Sequence, residues 1–161
     1  MHGSVTLADV YDFETYQPRK GVGHLLNRVR TEMLVALDKA LASDAELAPM
    51  ELSAAQFIVI ATLALADGAK SASDLCRGIS YDAGAMTRMI DRLEGKGLIR
   101  RNRHTDDRRV VYIELTDEGA RAFPRMKMLS MGVVNRFLRG FSQAEARQLE
   151  GYLTRMLENA A

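Results

Sequence analysis

GKGLIRRNRHTDDRRVVYIELTDEGA, residues 95–120, is the stretch whose reading decides the fold. Within it LIRRNR and RRVVYIEL alternate in polarity and are rich in strand-forming residues, and HTDD lies between them. Two such runs around a short polar link predict a β-hairpin. In the second strand Val111, Ile113 and Leu115 share one face, and Val110, Tyr112 and Glu114 share the other. Five arginines (Arg100, Arg101, Arg103, Arg108 and Arg109) fall in ten positions around the acidic pair Asp106 and Asp107. Gly97, just before the first strand, fits the residue that closes a helix in the left-handed conformation. Thr116, just after the second, fits a helix cap, and the following helix is expected over residues 117–139 with a kink at Pro124.

Working outward, the stretch is preceded by a helix expected over residues 82–96, with Met86, Ile90 and Leu93 on its inner face. Before it, Ser71 and Asp74 open a short helix that runs through Arg77 and stops at Gly78. Two consecutive helices joined by the tight turn Ile79-Ser80-Tyr81 predict a helix-turn-helix, and the basic hairpin directly after it makes a winged helix. Ser53 and Gln56 form a capping-box pattern ahead of a further helix reaching about Ala66. Residues 43–52 form a loop broken by Pro49. From Gly21 the positions Val22, Leu25, Leu26, Val29, Met33, Leu37 and Leu41 keep the three-four spacing of a long amphipathic helix. Ser142 and Glu145 open the last helix, to about Glu158. The expected fold is mainly α with a small β wing. It forms a single domain: an arm at residues 1–18, terminal helices at 19–42 and 117–159, and a winged helix at 53–116.

The bulk numbers allow one soluble domain: 161 residues, 47% hydrophobic and 27% charged. Net charge is only +1, so attraction for a polyanion must come from local charge. Residues 86–110 supply it, with eight basic and four acidic side chains, the footprint expected for a phosphate backbone. The longest apolar run, residues 57–66, is too short to span a bilayer. The N-terminal stretch lacks the basic-then-apolar order of a signal peptide. One cysteine, Cys76, rules out an internal disulfide and suits a reducing compartment. A cytoplasmic protein with no membrane partner is expected.

On the helix before the hairpin, the outward face carries Ala83, Gly84, Thr87, Arg88 and Asp91. Ala83, Gly84 and Ala85 are small enough to let base edges approach. Thr87 can meet a thymine methyl or donate a hydrogen bond. Arg88 can fork onto guanine O6 and N7, a contact worth roughly 1–3 kcal/mol of discrimination. In the hairpin, Asp107 is placed to pair with Arg109 and aim it into a narrow minor groove. An enzyme is not expected. HExxH, GxSxG, a phosphate-binding glycine loop and a cysteine–histidine pair are all missing, and adjacent Asp106 and Asp107 point to opposite sides of a hairpin.

LSAAQF (52–57), YDAGAMTRMIDRLEGKGLIRR (81–101), DDRR (106–109) and LTDEGA (115–120) together resemble the MarR family of bacterial winged-helix regulators, over about residues 20–158. The resemblance implies a homodimer on a double-stranded, pseudo-palindromic operator, with the first helix and the last two forming the dimer interface. It places Asp82, Ala85, Thr87, Arg88 and Arg92 on the recognition helix. It puts Asp107 and Arg109 at the wing's D-x-R positions with Arg108 between them, and Ser71 and Ser80 near phosphates.

It also implies a repressor released by a small effector, often an aromatic or phenolic carboxylate. His24, Arg28, Phe57 and Arg101 are its expected contacts. A surface role for His24 and a dimer ion pair for Arg28 are the competing readings. A redox- or CoA-thioester-responsive regulator, or an activator, is the alternative within the same fold. Cys76 fits packing better than the first-helix cysteine of peroxide-sensing members. His2, His24 and His104 have no metal-ligand spacing, and no cofactor is implied. Urate-type members use a tryptophan, which this chain lacks. Met126, Met128 and Met131 suit core or dimer packing, or an adaptable pocket.

Overall fold

A computed structural model of the chain describes residues 9–79, 81–103 and 110–160. The chain divides into two compact units, residues 1–32 and 33–161. Helix α1 (Val22–Ser43) begins in the first and ends in the second. In the first unit, residues 9–18 hold turns and no helix or strand. Asp12 and Thr15 close one of these turns reciprocally. The Thr15 N–H donates to Asp12 Oδ1 at 2.8 Å, and the Asp12 N–H donates to Thr15 Oγ1 at 3.0 Å. The Thr15 N–H, with the threonine hydroxyl, lowers the Asp12 pKa.

The second unit holds the remaining elements. After α1 comes a 3-10 turn (Ala48–Met50), then α2 (Ala54–Ala64), β1 (Lys70–Ser71), α3 (Ala72–Ile79) and α4 (Ala83–Gly95). β2 (Ile99–Arg103), β3 (Val111–Leu115), α5 (Asp117–Phe137) and α6 (Gln143–Glu158) follow. The capping boxes at Ser53/Gln56 and Ser142/Glu145 form as the sequence predicts, and Thr116 caps α5. One expectation needs correction. α3 runs past Gly78 to Ile79, because a helical glycine weakens a helix without ending it. α5 continues through Pro124 to Phe137.

The strands form one antiparallel sheet in the order β1-β3-β2. β1 was not foreseen. Its two residues pair Lys70 with Ile113 and Ser71 with Tyr112, giving β3 a second neighbour. On β2, Ile99, Arg100 and Arg101 face Leu115, Glu114 and Ile113. Ile113 is buried, and Val111 and Leu115 pack against the core, the face expected from the alternation.

The core lies where α2, α3 and α4 meet β3 and α5. Val59, Ile60, Leu75, Met86, Leu93 and Met126 have no solvent exposure. Burying each such side chain contributes about 1.5–3 kcal/mol. Leu37 and Leu41, from the end of α1, join the same core. The buried carboxylate of Asp44, just beyond α1, is met by Arg125 of α5 at 2.6 Å. That hydrogen bond, with the N–H groups of Leu47 and Glu46, holds the Asp44 pKa below its ordinary value. Among the described residues no helix is long and apolar enough to cross a membrane.

At the base of the sheet, α5 crosses the start of β2 closely. Leu98 O accepts the Thr116 N–H at 3.1 Å, and Gly97 O accepts the Thr116 hydroxyl at 2.6 Å. Gly97 makes this possible in the left-handed conformation, at φ +72°. A β-carbon on Gly119 would lie 2.1 Å from Leu98 O, so only glycine fits there.

Candidate nucleic-acid interface

α4 buries Met86, Ile90 and Leu93, positions i, i+4 and i+7, so its opposite face is turned to solvent. Asp82 caps its start and accepts the Ala85 N–H at 2.8 Å. Asp82 and Ala85 thus build the first turn of the helix on which they were expected to act. Thr87 is exposed, with its hydroxyl donating to Ala83 O at 2.8 Å and its methyl free. Arg88 and Arg92, one turn apart, are both exposed. A β-carbon at Gly84 would sit 3.2 Å from Asp82 Oδ1 and 3.5 Å from Arg88 Nη1.

Ser71 caps α3. Its hydroxyl oxygen accepts the Asp74 N–H at 3.2 Å, while its own N–H and O–H donate to Asp74 Oδ2 at 2.9 and 2.8 Å. These bonds, led by the Ser71 N–H and helped by Arg77 at 2.5 Å, lower the Asp74 pKa to about 2. Ser80, Asp107, Arg108 and Arg109 lie outside the described residues.

The basic residues between α4 and β2 divide into two groups. Among the described residues Arg88, Arg92 and Arg103 make no ion pair. The others are held within the fold. Lys96 Nζ donates to Met50 O at 2.9 Å, Glu51 O at 2.5 Å and Gln56 Oε1 at 3.3 Å, which also satisfies the buried Gln56. Arg100 pairs with Glu114 across the strands at 3.2 Å. Arg101 donates to Asp91 at 2.5 Å and also to Glu94. Those carboxylates, Asp91 first, raise the pKa of its guanidinium. Charge counting finds the sign of such a segment but not its partners. The one sequence sign of the Arg101 contacts was the pair Asp91 and Glu94, three residues apart on the helix beside the strand.

The expected effector contacts fall in different units. His24 is half-buried and Arg28 exposed on the first-unit part of α1. In the second unit Phe57 stacks on Phe123, with ring centroids 6.5 Å apart. Phe57 also lines an open groove of about 560 Å³ along α2 with Ala61 and Leu65, and Thr62, Asp67 and Lys70 are its polar lining. Cys76 packs half-buried against the core.

A helix-turn-helix followed by an antiparallel β-ribbon, with small residues, a threonine and unpaired arginines on the second helix, is a DNA-binding winged helix. The MarR family model matches residues 52–111. The HTH-type transcriptional repressor MdtR of Bacillus subtilis is 31% identical over 137 residues, covering 85% of this chain and 81% of MdtR. The chain belongs to the MarR family of transcriptional regulators. Among solved structures, a mutant MarR from E. coli complexed with operator DNA superposes with a TM-score of 0.72 at 28% identity, covering 84% of this chain and 92% of that one. BpsR of Bordetella bronchiseptica, whose DNA binding is regulated by 6-hydroxynicotinic acid, gives a TM-score of 0.70 at 26% identity, covering 89% and 98%.

Proposed function

We propose that the chain is a homodimeric repressor that binds a pseudo-palindromic operator and leaves it when a small aromatic acid binds. The observation that carries this reading is the sorting of basic charge. Lys96 and Arg101 have several partners within the chain and Arg100 an exposed cross-strand one, while Arg88 and Arg92, beside Thr87, are presented on one exposed helix face without an ion pair. In this reading α4 enters the major groove, Arg88 forks onto a guanine and Arg92 meets the backbone. Ser71 and Ser80 lie beside phosphates, and Asp107 aims Arg109 into the minor groove with Arg108 beside it.

Dimerisation is supported by α6, which buries none of its residues and exposes Leu149, Tyr152, Met156 and Leu157. Exposed apolar groups in that number mark an interaction surface. The repressor role is supported by the name of MdtR, and an aromatic acid by the effector of BpsR. For the effector, Phe57 offers an aromatic surface. His24 and Arg28 are the proposed carboxylate partners, since the Arg101 guanidinium already serves two carboxylates.

Release needs an effector with different affinity for the DNA-bound and free conformations. The test is a mobility-shift titration on the DNA upstream of the protein's own gene, repeated with salicylate, hydroxybenzoates and cinnamates. A specific shift abolished by one acid is expected. A specific shift that no acid alters would remove the aromatic-acid part of the proposal. No specific shift on any selected duplex would remove the DNA-reading part.

A further inference from the structure

Arg101 links the ribbon to α4. It sits in β2 opposite Ile113. Its Nη2 donates to Asp91 Oδ1 at 2.5 Å, its Nη1 donates to Glu94 Oε2, and its backbone N–H donates to Glu94 Oε1 at 3.2 Å. Asp91 and Glu94 stand one turn apart on α4, so one planar guanidinium spans both carboxylates. Among the described residues no other β2 side chain hydrogen-bonds or ion-pairs to α4.

The three side chains keep 33%, 59% and 39% of their exposure. Ion pairs that exposed add little to stability. What the fork does supply is direction, because two bonds to carboxylates at fixed places on α4 leave β2 one orientation beside it. The arrangement also places two negative groups on the helix that faces a polyanion, which by charge alone disfavours binding.

We infer that Arg101 is a positioning residue for operator recognition. It fixes the β2–β3 ribbon against α4 so that both DNA-facing elements meet the duplex in one relative placement, and it makes no DNA contact itself. This rests on the reading of α4 and the ribbon as the DNA-facing elements.

The test uses the full chain, a duplex selected by the unaltered protein from a random-sequence library, and a scrambled duplex of the same composition. Asp91→Asn/Glu94→Gln removes two negative charges and leaves Arg101 in place. Coulomb attraction alone predicts tighter binding to both duplexes. Positioning predicts weaker binding to the selected duplex, by roughly tenfold, the size of losing one base pair's recognition. Binding to the scrambled duplex is expected to be unchanged or tighter. Arg101→Lys keeps the charge but loses the fork, and the same selective loss is expected, with an unaltered circular dichroism spectrum. Selected-duplex binding by Asp91→Asn/Glu94→Gln equal to or tighter than that of the unaltered protein overturns the inference. Full selected-duplex binding by Arg101→Lys does so too, and decides the matter should the double variant fail to fold. Arg88→Ala separates the two levels. If it loses discrimination while the variants at 91, 94 and 101 do not, only the positioning role fails. If the unaltered protein selects no duplex, both readings fail.

Discussion

Gly119→Ala is expected to destabilise the protein even though alanine is the better helix former. In an unobstructed helix the exchange favours alanine by about 1 kcal/mol. At Gly119 the new β-carbon would lie 2.1 Å from Leu98 O and 3.1 Å from Leu98 C. Carbon–oxygen contacts settle near 3.3–3.6 Å, so the two backbones must part by roughly 1.2–1.5 Å. Leu98 O cannot retreat freely, because it holds the Thr116 N–H at 3.1 Å, and Thr116 caps the same helix. Overpacking of this kind costs about 1–3 kcal/mol, and a weakened hydrogen bond about 1 kcal/mol more. After the helix gain is subtracted, a loss of about 1–3 kcal/mol remains, or roughly 2–12 °C in the melting midpoint for a chain of this size. Gly78→Ala and Gly95→Ala are the controls, since nothing lies within 4 Å of a β-carbon at either glycine. Both should leave stability unchanged or raise it. Thermal and urea denaturation followed by circular dichroism measure all three. A Gly119→Ala protein as stable as the controls would refute the close approach of α5 to β2.

Arg88→Ala should weaken selected-duplex binding by roughly 1–3 kcal/mol and relax preference at one base pair per half-site. Binding competition among single-base variants measures it, and equal losses on scrambled DNA would contradict base reading. Asp74 has a folded-state pKa lowered to about 2 from 3.8, so its contribution to α3 is complete above pH 3.8 and fades as pH falls toward 2. Asp74→Asn should flatten the acid limb of the stability-against-pH curve, and an unchanged limb would mean that the Ser71–Asp74 cap does not hold in solution. Leu149→Glu with Tyr152→Glu puts two charges on α6 and should yield monomers by sedimentation, with loss of selected-duplex binding. A dimer that survives both would place the interface away from that face.

Much of the scaffold was legible because local rules and packing agree. Ser53/Gln56 and Ser142/Glu145 mark helix starts that the fold respects, and Met86, Ile90 and Leu93 define the buried side of α4 by spacing alone. The alternation in β3 gave the buried side of Ile113. β1 escaped notice because two residues have no period to detect, and it exists only because β3 offers an edge to pair with. Side chains whose role depends on distant partners were equally hidden. Lys96 reads as one more cation near the DNA face, yet its ammonium bonds carbonyls more than forty residues earlier in the chain. Ser71 and Asp82 were expected at DNA, and the structure adds that each is also a helix cap. Such double use is invisible in a residue type.

The internal use of Lys96, Arg100 and Arg101 has a consequence for how the protein searches DNA. Each phosphate neutralised by a free cation releases counterions and adds about 0.9 to the slope of log affinity against log salt. A cation already paired within the fold adds little. The eight basic residues of the segment 86–110 therefore overstate its hold on an arbitrary duplex. With a whole-chain charge of only +1, little remains for long-range capture. The salt slope for an arbitrary duplex is therefore expected to be shallower than eight free cations per chain would give.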